Sequence, residues 1–396
     1  MGVWMMLSVS VKKRIPRFRD GEAYYDYNLV AVIILLIVFG LIMLYSTSSY
    51  VAQLHQSDDM FYFKKQAVIS AASVALALLI SQFDYHILGK IPTLLYAVAM
   101  VLMVMVRVTP FGVEVNGAKR WLRFAGLQFQ PAEIAKIAAI VMIASMVVRM
   151  GKKAVAPRGM GILAATGGML GLVTFVFTDN LSTAIIIWGI TGVLTFIPHP
   201  KTGPFVLAFI GLVAFSVAGV ALLAANIDTS SNFRIRRLLT WLHPEEYSAS
   251  GGYQVMQSLY AIGSGGFFGK GLGNSAQKLG WIPEAQNDMI FSVICEELGI
   301  FGASVILLLF AYLLYRLMFI AQNAPDLFGA LLASGIFVHI ALQVILNICV
   351  VTNLIPTTGI TLPFFSYGGT SILFLMSEMG IALGVARRIK FQEDMG

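Results

Sequence analysis

The stretch Asn28-Leu29-Val30-Ala31-Val32-Ile33-Ile34-Leu35-Leu36-Ile37-Val38-Phe39-Gly40-Leu41-Ile42-Met43-Leu44-Tyr45-Ser46-Thr47 contains no charged residue. A helix rises about 1.5 Å per residue, so a run of this length crosses the ~30 Å hydrocarbon core of a bilayer. Nine further predominantly apolar runs follow, roughly 66–82, 91–109, 131–149, 160–178, 181–198, 204–225, 288–316, 327–350 and 366–387. Composition agrees: 58% of the 396 residues are hydrophobic and 12% charged, against about 45–50% and about 25% in soluble domains. Mean hydropathy is +0.81. These figures exclude a soluble enzyme, a disordered chain and a fibrous repeat. They predict an all-α polytopic membrane protein of about ten transmembrane helices, forming a single integral-membrane domain over 1–396. Residues 1–27 and 388–396 read as tails. A large external loop, 226–287, separates helices 7 and 8. No small-residue cleavage pattern follows Lys12, Lys13, Arg14, Arg17 and Arg19, so the first span reads as retained. Cys295 and Cys349 lie in apolar runs and read as small buried hydrophobes.

Lys and Arg set orientation. An even number of spans places both termini on one side, together with Arg149, Lys152, Lys153, Arg158, Arg387, Arg388 and Lys390. That side is expected to be cytoplasmic. The opposite side is basic too. It carries Lys64, Lys65, Arg107, Lys119, Arg120 and Arg123, then Arg234, Arg236, Arg237, Lys270 and Lys278. Either the topology is inverted in part, or these charges meet an anionic substrate; clustered Arg and Lys commonly recognise phosphate. The +7 net charge is then topology signal plus an anion site, with no need for nucleic acid.

The long loop is glycine-dense: Gly251-Gly252-Tyr253-Gln254 through Gln257-Ser258, then Gly263-Ser264-Gly265-Gly266-Phe267-Phe268-Gly269-Lys270-Gly271-Leu272-Gly273-Asn274-Ser275. Glycines let backbone amides approach a ligand, although glycine alone reads more simply as a flexible loop. The interleaved Gln, Ser, Lys and Asn suit sugar hydroxyls and phosphate. A nucleotide loop is rejected, because Ser264 stands five positions before Gly269 where a glycine is required.

Asp288 enters the eighth span. It reads either as an acid favoured by a helix N-terminus or as a general base. Glu296 and Glu297 lie about 12 Å deeper along the axis, too far for a direct dyad; as intramembrane acids they leave a functional reading open beside a structural one, pairing with another helix or its backbone. Glu133 and Lys136, three apart on one helical face, read as an internal ion pair. Glu378 leaves both a structural and a functional reading open.

Four ordered segments resemble the SEDS family (shape, elongation, division and sporulation) of peptidoglycan glycosyltransferases. They are Asn116-Gly117-Ala118-Lys119-Arg120-Trp121 with Gln130-Pro131-Ala132-Glu133 and Lys136; Gly252-Tyr253-Gln254 to Gly269-Lys270-Gly271; Pro283-Glu284, Asp288 and Glu296-Glu297-Leu298-Gly299; and Pro356, Gly359, Thr361-Leu362-Pro363-Phe364 with Ser366-Tyr367-Gly368-Gly369. Asn274-Ser275-Ala276-Gln277-Lys278 resembles the division branch more than the elongation branch. A sporulation paralogue would look much the same. Three departures stand out. Asp179-Asn180-Leu181-Ser182-Thr183 shifts an acidic position by one, Thr358 replaces a common lysine, and Gln286-Asn287 replaces His-Thr before Asp288.

The resemblance implies polymerisation of lipid II, a polyprenyl-pyrophosphate disaccharide-pentapeptide, into β-1,4-linked glycan strands outside the membrane during cell division. The α-linked donor and β-linked product imply a single inverting displacement, by analogy with inverting glycosidases. Pyrophosphate is already a good leaving group, so one base and several cations suffice. Asp288 is the expected base. Lys119, Arg120, Arg123 and Lys270 are candidates for pyrophosphate, and Gln254, Gln257, Ser258 and Ser264 for the sugars. The motif positions Glu133, Lys136, Lys278, Glu284 and Ser366 complete the substrate-binding set. The resemblance also implies a class B penicillin-binding protein transpeptidase as partner, within the division machinery and among membrane lipids. No cofactor or metal cluster is evident, though the pyrophosphate could bring a divalent cation. The alternative is a lipid II flippase, which predicts repeats and paired broken helices around a midplane site; the sequence offers neither.

Overall fold

A computed structural model describes residues 25–115, 118–124, 127–226, 239–247 and 252–389. Asn116, Gly117, Gly251, Arg234, Arg236, Arg237, Lys390 and the basic N-terminal cluster lie outside the described residues.

The first seven spans are α1 (Tyr27–Gln56), α2 (Phe61–Ile80), α3 (Pro92–Val108), α4 (Pro131–Met150), α5 (Pro157–Thr178), α6 (Leu181–Phe196) and α7 (Gly203–Asn226). The last three are α9 (Ile290–Asn323), α10 (Leu327–Val351) and α11 (Gly369–Ala386). Each of the ten expected spans therefore finds a helix. Among the described residues seven are long and apolar enough to cross a membrane; α3 and α6 are shorter apolar helices, and α7 is apolar over Gly203–Ala214. The chain is a polytopic, mostly helical membrane protein.

Local chemistry starts these helices. Pro92, Pro131 and Pro157 occupy first-turn positions of α3, α4 and α5, where the missing N–H costs nothing. Side chains of Asp26, Asn180 and Asp326 cap α1, α6 and α10 by accepting from Leu29, Thr183 and Gly329 backbone N–H groups. Asp26 also takes the buried Arg316 guanidinium at 2.7 Å, which ties the start of α1 to α9. In the bundle α11 lies along α2, α5 along α6, and α10 against α9, α6 and α4. Arg387 and Arg388 donate to the Ser81 and Phe83 carbonyls beyond α2. The described chain thus begins and ends at the same end of the bundle.

Two features were not anticipated. Within the loop expected at 226–287, Gly252–Ser264 forms a helix, α8, with Val255, Ser258 and Ala261 buried. Between α3 and α4, β1 (Gly112–Val115), β2 (Ala118–Phe124) and β3 (Leu127–Phe129) form a three-stranded antiparallel sheet. It closes the same end of the bundle as α8, opposite the described chain ends.

Candidate active site

The sheet aims one arginine. In β1–β2 the register runs Gly112↔Leu122 and Val113↔Trp121, then Glu114↔Lys119, so Arg120 is the extra residue of a β-bulge. A bulge bends its strand and redirects a side chain, and bulges recur beside active sites. Ala118 and Leu122 are buried, Lys119 and Arg123 are exposed, and Arg120 is half-buried. Its Nη2 donates to the Asp179 carbonyl at 3.1 Å. Arg107 Nη1 lies 3.5 Å from the Asp179 carboxylate. Asp179, to which no role was carried from sequence, therefore sits between two of the arginines.

Asp288 approaches from the other side. The N-cap of α9 is Met289, so Asp288 stands one residue outside the cap and its half-buried side chain projects from the loop. Gln254 of α8 donates to its Oδ1 at 3.4 Å and to the Pro283 carbonyl at 3.1 Å. Gly359 joins the two halves. A Cβ at Gly359 would lie 3.2 Å from Arg120 Nη1 and 3.8 Å from Asp288 Oδ2. Carboxylate and guanidinium therefore flank one residue whose missing side chain lets them converge. Its φ of +71° also favours glycine. Asn347, fully buried on α10, donates 2.8 Å bonds to the backbone carbonyls of both Asp288 and Ile360. Sequence reading passed over Asn347, because its partners lie far away along the chain.

Several other expected residues stand elsewhere. Ser258 is buried and donates to the Val351 carbonyl at the end of α10. Ser366 accepts from Leu362 N–H at 2.8 Å, shaping the turn before α11. Gln257 is half-buried on α8. Glu284 is exposed, with φ of +57°, and accepts from Asn287 Nδ2. On the same end of the bundle Lys64 bridges Asp58 at 3.0 Å, and that hydrogen bond holds the Asp58 carboxyl below the usual carboxylate range.

Lys270, Lys278 and Ser264 belong to a second cluster. α9 breaks at Gly299, whose φ is 69° and ψ −169°. The loop 266–271 packs into the break: Lys270 and Gly271 N–H donate to the Glu296 and Glu297 carbonyls, and Ile300 and Phe301 N–H donate to Gly266 and Phe267. A Cβ at Gly299 would stand 2.3 Å from Gly269 N. The helix's freed backbone groups are thus taken by the chain itself, as burial in a membrane protein demands. Side chains seal the joint. Lys270 Nζ meets Glu296 at 2.7 Å and Ser264 Oγ at 2.8 Å. Lys278 Nζ meets Glu297 at 2.7 Å and Ser46 Oγ at 2.9 Å. The two glutamates pair chiefly with the loop, where another helix was the expectation; Ser46 of α1 and Ser264 of α8 supply the helical partners.

A third cluster lies deeper. Lys136 bridges Glu133 at 3.0 Å, as the spacing suggested, and donates to Gln343 Oε1 at 3.1 Å. His339 joins Gln343 to Glu378, at 2.8 and 2.6 Å. Glu133, Gln343, Thr361 and Ser366 line a cavity of about 20 Å³, enough for a single water.

Fold and geometry together define a polytopic membrane protein in which a carboxylate and a guanidinium approach one glycine where loops, sheet and helix ends meet at one end of the bundle. Comparison narrows the class. Residues 26–390 match the FtsW/RodA/SpoVE family, described as cell cycle protein, and the chain belongs to that family. It is 37% identical to the stage V sporulation protein E of Bacillus subtilis (strain 168), over 92% of this chain and 98% of that protein. It is 34% identical to the probable peptidoglycan glycosyltransferase FtsW of Trichlorobacter lovleyi, over 94% and 95%. Among solved structures, a chain of a peptidoglycan synthase complex that coordinates polymerization and crosslinking superimposes with a TM-score of 0.75. It is 26% identical and aligned over 92% of this chain and 98% of that one.

Proposed function

We propose that the chain is a peptidoglycan glycosyltransferase that polymerises lipid II at the external membrane face. One observation carries the reading: the Asp288 carboxylate and the Arg120 guanidinium converge on Gly359, in a family whose relatives include proteins named for this activity. In the step, the acceptor's 4-hydroxyl oxygen attacks C1 of the donor sugar from the face opposite the pyrophosphate. The C1–O bond breaks and its electron pair leaves with the polyprenyl pyrophosphate. The hydroxyl proton passes to Asp288. Arg120 offsets the charge growing on the leaving group, and the exposed Lys119 and Arg123 on the same strand draw the anionic substrate in through their field. Gln254 and Gln257 on α8 face the sugars. Lys270 and Lys278, each bridged to a glutamate, act on the substrate through the loop they secure. A divalent cation would arrive with the pyrophosphate; among the described residues no group of three His, Cys, Asp or Glu could hold one alone.

The same proposal puts both termini in the cytoplasm; the basic residues Arg149, Lys152, Lys153, Arg158, Arg387 and Arg388, which flank spans on one side, support it. The partner proposed is a class B penicillin-binding protein transpeptidase, supported by the likeness to a chain of a synthase complex; other division proteins belong to the same proposal. The division role is favoured by the Asn274–Lys278 stretch, and the sporulation relative at 37% identity keeps the sporulation branch beside it. The flippase reading gains one broken helix, at Gly299. That break is filled by the chain's own loop, which leaves it no substrate to coordinate.

Purified protein, alone and with its cognate transpeptidase, should convert lipid II to glycan strands resolved on a gel, and Asp288→Asn should abolish them. Translocation of labelled lipid without strands would favour the flippase.

A further inference from the structure

Two side-chain amides on α10 tie down both sides of the Arg120–Asp288 site. Gln343 and Asn347 are four residues apart and share a helical face. Asn347 Nδ2 carries two hydrogens, and the carbonyls of Asp288 and Ile360, both at 2.8 Å, use both. Gln343 Nε2 donates to the Thr361 carbonyl at 3.1 Å, and its Oε1 accepts from Lys136 Nζ at 3.1 Å. An ammonium only donates and a carbonyl only accepts, so the orientation of this amide is settled. His339 must then donate from Nε2 to Gln343, while its Nδ1 meets Glu378 at 2.6 Å. Lys136, His339 and Glu378, all buried, hold the Gln343 amide from behind.

Both amides bind backbone, and the backbone they bind belongs to the site. One segment carries the Asp288 carboxylate. The other, Ile360 and Thr361, follows directly on Gly359, against which both Arg120 and Asp288 lie. We infer that Gln343 and Asn347 are positioning residues for glycosyl transfer: they set the spacing at which carboxylate and guanidinium engage one substrate. This rests on the role proposed for Asp288. A misplacement of about 1 Å at a reacting centre can cost on the order of 10²-fold in rate, so the link has kinetic consequences beyond folding.

The experiment measures lipid II polymerisation by the full-length protein in liposomes. Asn347→Asp is nearly isosteric but offers at most one donor to two carbonyls, and should lower kcat by about 10- to 100-fold with KM for lipid II within about twofold. Gln343→Glu keeps an acceptor facing Lys136 and His339 but sets a carboxylate oxygen against the Thr361 carbonyl in place of the donor; a fall in kcat of about 3- to 10-fold is expected on the same grounds. It also serves if Asn347→Asp fails to fold, as judged by melting temperature and monodispersity. Combining Asn347→Asp with Gly359→Ala should cost little more than the worse single change, because both act on one spacing. Wild-type kcat in the folded single variants, or losses that multiply in the double variant, would overturn the inference. Full loss in Asp288→Asn alongside unaffected Asn347 and Gln343 variants defeats the positioning role alone. Wild-type turnover by Asp288→Asn defeats the proposed base and the positioning role with it.

Discussion

The Glu296–Glu297 cluster and the Asp288 site both set carboxylates beside basic side chains at the same end of the bundle, yet they are built for opposite ends. The two glutamates are fully buried. Their oxygens accept from Lys270, Lys278, Ser46, Ser264 and Ser275, and from backbone N–H groups of residues 275–277. Asp288 is half-exposed and faces Gln254 at a long 3.4 Å. The first cluster is a latch, closed off from solvent by its burial. The second has solvent access, where a substrate proton can arrive. An acid beside a base is therefore not in itself a sign of catalysis; exposure separates the two clusters.

The largest effect that tests this contrast is on rate. Asp288→Asn should cut polymerisation by about 10²- to 10⁴-fold, the contribution of a positioned general base, and leave the melting temperature unchanged. A folded variant with wild-type turnover would break the contrast at its catalytic end. The matching change in the latch should act on stability. Lys278→Met leaves Glu297 buried and uncompensated, which costs about 3–5 kcal/mol and should lower the melting temperature markedly. Lys278→Met with Glu297→Leu should recover much of that loss, since a buried pair can be replaced by apolar packing. If the double variant melts no higher than the single one, the latch does more than fasten the loop.

Gly359→Ala should come next in size. The positive φ costs an L-residue about 1–2 kcal/mol, and the new methyl would press on Arg120 at 3.2 Å. Polymerisation should fall by roughly tenfold, the factor that about 1.4 kcal/mol in the barrier produces, while the protein still inserts and purifies. Unchanged activity would show that Arg120 can shift without loss, which would weaken the convergence on which the site rests.

The bundle was legible because apolar runs of membrane length carry their own signal; all ten spans recur within a few residues at most ends, although α1 and α9 run on by about two turns. α8 escaped notice because its buried face is only Val255, Ser258 and Ala261 between glycines. The sheet escaped because β1 and β3 have four and three residues, too short for alternation to show. For the site, Asp288 and Arg120 were legible as motif residues. The bulge that aims Arg120 depends on pairing register, and the Asn347 link joins residues 59 positions apart; neither leaves a local trace. Lys270 and Lys278 were read as anion ligands because sequence shows a charge but not its partner.

The smallest effect concerns the exposed cations. Lys119 and Arg123 are exposed on β2, on either side of the half-buried Arg120, and an exposed charge acts through a screened field with a Debye length of about 8 Å at physiological salt. Lys119→Ala and Arg123→Ala should therefore raise KM for lipid II by only a fewfold, with kcat nearly unchanged, and the difference from wild type should shrink as ionic strength rises. A kcat effect as large as that of Gly359→Ala, insensitive to salt, would mean that these side chains reach the leaving pyrophosphate directly. The strand would then present three catalytic cations, and the bulge at Arg120 would no longer set it apart from its neighbours.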